Sequence, residues 1–60
     1  MMKRYLLKRD FRGFKKGSHF YLVVESEYIG MKEYVLRTQD LSKRMIISEK
    51  EMENHFIRVK

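Results

Sequence analysis

The sequence predicts an all-β domain of five short strands, with one helical turn over about residues 49–54 set before the last strand. Three observations carry this. Short segments rich in β-branched and aromatic side chains recur along the chain, and His19–Tyr28 is the densest. Glycines at 13, 17 and 30 and the run Gln39-Asp40-Leu41-Ser42 separate those segments at turn positions. Only Ser48-Glu49-Lys50-Glu51 carries a helix-start signature, the capping box. A chain of 60 residues is one domain. At that size only about 60% of the unfolded surface is buried, so the core has little to spare. Cysteine is absent, which excludes disulfides and a thiolate zinc site.

The first strand is expected from Arg4 to Phe11, with Tyr5, Leu6, Leu7 and Phe11 spaced among charges. Arg12-Gly13 and Lys16-Gly17 then mark a turn region. The second strand is His19–Tyr28. Alternation along it puts Phe20, Leu22 and Val24 on the core face and Tyr21, Val23 and Glu25 on the other. Ile29-Gly30-Met31 reads as a turn, with Gly30 free to take a positive φ. The third strand, Lys32–Thr38, sets Tyr34 and Leu36 opposite Val35 and Arg37. The fourth is Lys43–Ile47, with Met45 and Ile47 inward. Ser48 then caps the helical turn. Its hydroxyl accepts from the Glu51 amide, the Glu51 carboxylate accepts from the Ser48 amide, and Ile47 and Met52 form the hydrophobic staple. Glu49 and Glu51 sit at the positive end of the helix dipole. A helix this short is not stable alone, so it must pack on the strands. Phe56–Val59 is the last strand.

The stretch Phe14-Lys15-Lys16-Gly17-Ser18-His19-Phe20-Tyr21-Leu22-Val23 is similar to the diverging turn and second strand of SH3-like small barrels. The order of elements resembles that class over most of the chain. The resemblance implies a five-stranded SH3-like barrel in which Gly17 supplies the turn's positive φ. It also implies that Phe14, Phe20 and Leu22 point inward and that the helical turn replaces the short 3₁₀ segment before the last strand. Peptide-binding SH3 domains carry an acidic specificity loop, a tryptophan pair and a proline. This chain has neither tryptophan nor proline, and its corresponding loop, Lys8–Lys16, is basic. The resemblance therefore implies the barrel and not a groove for proline-rich peptides. Basic SH3-like barrels include nucleic-acid and ribosome-associated modules, an analogy at the level of fold.

Charge gives the functional hint. The net charge is +6, and residues 1–20 hold seven Lys/Arg against Asp10 alone. A localised basic patch points to an anionic partner more strongly than a high isoelectric point does. The expected function is a non-catalytic module that binds nucleic acid or a nucleoprotein assembly through this loop and the adjacent sheet face. Lys8, Arg9, Arg12, Lys15 and Lys16 neutralise phosphates, Phe11 or Tyr21 stacks, and Arg37 borders the face. Phe14, three residues before the turn glycine Gly17, is assigned to the core, while Phe11 stands open between core and surface. Tyr21, Val23, Val35, Arg37 and Ile46 belong to one outward surface bordered by Lys43 and Arg44. Such a surface takes nucleic acid by stacking or by a groove wedge, and it serves equally as a protein contact. The alternative is thus a protein-interaction module, an adaptor or inhibitor docking on an acidic protein. The notable charge of the loop also fits a solvated turn.

Other chemistry is poorly represented. His55 follows Glu51 at helical spacing, but two ligands without a third make no zinc site. Glu25 and Glu27 share a strand face without a second acid to perturb them. No phosphate-binding loop is present. Neither enzyme activity nor a cofactor is expected. The longest apolar run, Phe20–Val24, is far short of the about 20 residues that cross a membrane, and Met1–Leu7 lacks the apolar core of a signal peptide. No membrane association, a cytoplasmic location and a monomer are expected. Pairing of Lys43–Ile47 with its own copy is the competing possibility, opposed by Lys43 and Arg44.

Overall fold

Alternating apolar side chains give five strands, and a computed structural model describing residues 2–60 joins them in one antiparallel sheet. The elements are β1 (Arg4–Leu7), β2 (His19–Tyr28), β3 (Met31–Thr38), β4 (Arg44–Ser48), α1 (Glu49–His55) and β5 (Phe56–Val59). Their order across the sheet is β4-β3-β2-β1-β5. The sheet is open, because β4 and β5 are its edges and do not pair. Helix α1 runs from one edge to the other and packs against β3, β4 and β5. Its capping box is complete: Ser48 Oγ accepts from the Glu51 amide at 3.2 Å, and Glu51 Oε1 accepts from the Ser48 amide at 2.9 Å. The expected end near Asn54 moves to His55, and the chain passes directly into β5.

The core lies between the inner sheet face and α1. Leu7, Phe20, Leu36 and Ile47 are sealed from solvent, with Leu22, Tyr34, Met45, Met52 and Phe56 around them. Phe20 meets Phe14 and Phe56 edge-on, with centroids 5.2 and 5.6 Å apart. Each such pair adds about 0.5–1.5 kcal/mol beyond burial. Phe14 thus packs against the core, and Gly17 has a φ of 93°, as a tight turn there requires.

Two expectations are corrected. The first strand ends at Leu7, not Phe11. The Lys8 amide still donates to the His55 carbonyl at 2.7 Å, but the chain then leaves the sheet. Phe11 and Phe14 form their own bridge, exchanging two 2.9 Å hydrogen bonds around Arg12-Gly13, both at positive φ. The second correction is Val24. Leu22 pairs with Leu36, but the next pair is Val24 with Val35, so Val23 is an inserted bulge residue. A bulge shifts the alternation by one. Val24 therefore points outward and is 46% exposed.

Every residue from Val23 to Glu33 is exposed, and beyond the Ser26–Glu33 pair, where β4 ends, β2 and β3 continue as a two-stranded arm. The molecule accordingly measures 32 × 23 × 22 Å. Tyr28 pairs with Met31, leaving Ile29-Gly30 as a two-residue turn with φ values of 51° and 73°. Positive φ at both positions matches the right-handed strand twist.

Candidate nucleic-acid interface

Residues directly opposite each other on neighbouring strands share a sheet face. On the outward face Arg44 lies opposite Arg37, Arg37 opposite Tyr21, and Tyr21 opposite Arg4. This makes one lateral row across four strands, about 14 Å long at the usual strand spacing. Beside it runs a second row, Val24–Val35–Ile46. Helix α1 covers the other face, and among the described residues no element covers this one.

The row's charges are available. Among the described residues the ion pairs are Arg12–Glu51 and Lys32–Glu49, so Arg4, Arg37 and Arg44 have no carboxylate partner. Arg37 is nevertheless oriented, because its Nη1 donates to the Leu41 carbonyl at 3.0 Å. That carbonyl belongs to a braced turn. Asp40 Oδ1 accepts from the Thr38 hydroxyl at 2.6 Å and from the Ser42 amide and hydroxyl at 3.0 and 2.7 Å. Hydrogen bonds from Thr38 and then Ser42 hold the Asp40 carboxyl at a pKa of about 2, below its ordinary 3.8. Leu41 sits in the same turn at a φ of 63°.

The loop residues divide into two groups. Arg12 is committed to the fold: its Nη1 donates to the Ile46 carbonyl at 2.9 Å and its Nη2 to Glu51 Oε2 at 3.0 Å. It thereby ties the loop to the outer edge of β4 and to the capping box. The Ser48 amide bond and then the Arg12 charge lower the Glu51 pKa against its burial. Phe11 stacks on His55 at 4.2 Å, meets Phe56 edge-on at 6.1 Å and carries the Arg12 guanidinium 5.1 Å from its ring centre. Its ring is engaged within the protein. Lys8 is half-buried, its Nζ 3.4 Å from the Glu53 carbonyl. Arg9, Lys15 and Lys16 are exposed, and their side chains make no hydrogen bond or ion pair among the described residues.

Of the residues singled out in the sequence, Tyr21 and Arg37 meet on the outward row, and Arg9, Lys15 and Lys16 are open in the loop. Arg4 and Val24 join the face unforeseen. Arg4 needed the register of β1 on β2, and Val24 needed the bulge. Among the described residues no three metal-ligating side chains converge, and no helix is long and apolar enough to cross a membrane. Comparison with protein-family models, curated proteins and solved structures finds no match for this chain.

Proposed function

We propose that this protein is a non-catalytic SH3-like module that binds nucleic acid with little sequence preference through its uncovered sheet face. The carrying observation is the row Arg44–Arg37–Tyr21–Arg4, unpaired with carboxylates and set beside the apolar row Val24–Val35–Ile46. The strand order and the helix before the last strand support the SH3-like assignment. The arginines neutralise phosphates, which gives affinity without base identity. The aliphatic row has the chemistry of a wedge pressed into a shallow groove. Tyr21 is the one aromatic in the two rows, which favours a duplex over a single strand needing successive stacking platforms. Exposed Arg9, Lys15 and Lys16 add a sequence-independent flank.

The test is an amide-shift NMR titration with a short duplex and a short single strand at two salt concentrations. Shifts on Arg4, Tyr21, Val35, Arg37 and Arg44, weakening as salt rises, are expected. Arg37→Ala should reduce the logarithmic salt slope by about 1. Binding indifferent to salt, or spectra unmoved by either ligand, would overturn the reading.

A further inference from the structure

The uncovered face is self-complementary. Its central row is Val24–Val35–Ile46. One step toward the arm lies Ser26–Glu33–Ser48, and one step toward the body lies Tyr21–Arg37–Arg44. Along β3, Glu33 and Arg37 each stand two residues from Val35, about 7 Å on either side. The bulge keeps β2 in step, because it absorbs the additional residue between Tyr21 and Val24. The face thus has an apolar centre, an acid on one side and cations at the matching place on the other.

We propose that a second copy of this chain occupies this face in a symmetric dimer whose two-fold axis runs along the Val24–Val35–Ile46 row. That operation lays each apolar row on its own copy and sets Glu33 of each chain opposite Arg37 of the other. An isologous interface requires that one patch complement itself, and this face does so in charge and apolarity. The apolar row is then buried between two sheets packed face to face. The same operation carries the arm tip toward the 38–43 turn of the other copy. The tip explains itself by such contact. Tyr28, Ile29 and Met31 are 78%, 81% and 73% exposed, and Ile29, a β-branched residue, holds a φ of 51°. Both features are unfavourable in an isolated chain. Self-association covers the Tyr21–Arg37–Arg44 row, so the dimer and the nucleic-acid complex exclude one another. That consequence rests on the proposed function, but the dimer does not.

The decisive experiment is sedimentation equilibrium of the protein alone, from micromolar concentration to about 1 mM. An interface of this small class dissociates with a constant on the order of 100 μM. Glu33→Arg and Arg37→Glu should each weaken self-association by about tenfold or more, since like charges then face each other twice. Mixing the two variants should restore association, because the mixed dimer regains an opposite pair at both places. Amide spectra of both variants report that each is folded. Ile29→Gly should weaken association while raising the thermal stability of dilute protein, a split that a folding defect does not produce. Wild-type protein that stays monomeric to about 1 mM, or variants that stay monomeric when mixed, overturn the dimer. Adding a short duplex separates the two readings. Salt-sensitive binding without a dimer retires only the dimer, and a dimer indifferent to duplex retires only the nucleic-acid function.

Discussion

Single side chains here hold turns against their own preferences. Ile29 is the clearest case. Its branched side chain sits at positive φ and is almost wholly exposed. Such a conformation costs about 1–2 kcal/mol. Ile29→Gly is therefore expected to stabilise the dilute protein by about 1 kcal/mol and raise Tm by about 4–8 °C in a melt. Arg12 also has a positive φ, but its guanidinium bonds Ile46 and Glu51 from there. Arg12→Ala should cost about 1 kcal/mol in denaturant, and Lys15→Ala should cost almost nothing. Charge reversal at Arg12 consequently confounds binding with folding, and Lys15 or Lys16 is the sounder probe. Asp40 sets a pH dependence. Its pKa is lower in the folded protein than in the unfolded chain, so its contribution is complete above about pH 3.8. The contribution is lost as pH falls through about 2. In Asp40→Asn the part of the Tm decline between those pH values that comes from residue 40 should be absent. A wild-type-like decline in that window would mean the 38–43 turn is not braced by Asp40.

At the scale of elements, α1 is the joint of the molecule. It is too short to form alone, so its stability comes from the capping box and from Met52, buried in the core against the inner face of the sheet. Ser48→Ala removes the acceptor for the Glu51 amide and should cost about 1 kcal/mol in denaturant unfolding. Because Glu51 also holds Arg12, that cap is coupled to the β1–β2 loop. A double-mutant cycle between Ser48→Ala and Arg12→Ala should be non-additive, and strict additivity would show the loop and helix to be independent. The element boundaries were mostly legible, since alternation, turn residues and the cap are local signals. The end of the first strand was not, because Phe11 leaves the sheet to bridge Phe14 and stack on His55, far along the chain.

On the scale of the whole molecule, stability is the constraint. A chain of 60 residues has about 3–9 kcal/mol of it in total. Leu36 is fully sealed, and Leu36→Ala should cost about 2–5 kcal/mol. That variant is expected to be largely unfolded at moderate temperature by circular dichroism, and a wild-type-like melt would mean that the core is not organised around β3. With so little reserve, the molecule spends half of its sheet on an uncovered face and a projecting arm. That surface carries the row Arg44–Arg37–Tyr21–Arg4 and the exposed residues Tyr28, Ile29 and Met31.

By itself the sequence determined the strands apart from the end of the first, the turn at Gly17, the capped helix and most of the core, because each depends on side chains close together in the chain. It also showed the basic excess of the first twenty residues. Which of those charges are free was a tertiary decision. Arg12 and Phe11 look open in the sequence but are engaged by β4, α1 and β5. The outward row of Arg44, Arg37, Tyr21 and Arg4 was likewise decided by register, since its members lie on four strands. Val24 turned outward because one inserted residue shifts the alternation, and a bulge is defined only by the partner strand. Local propensity can place a residue on a strand, but only pairing can say what stands beside it.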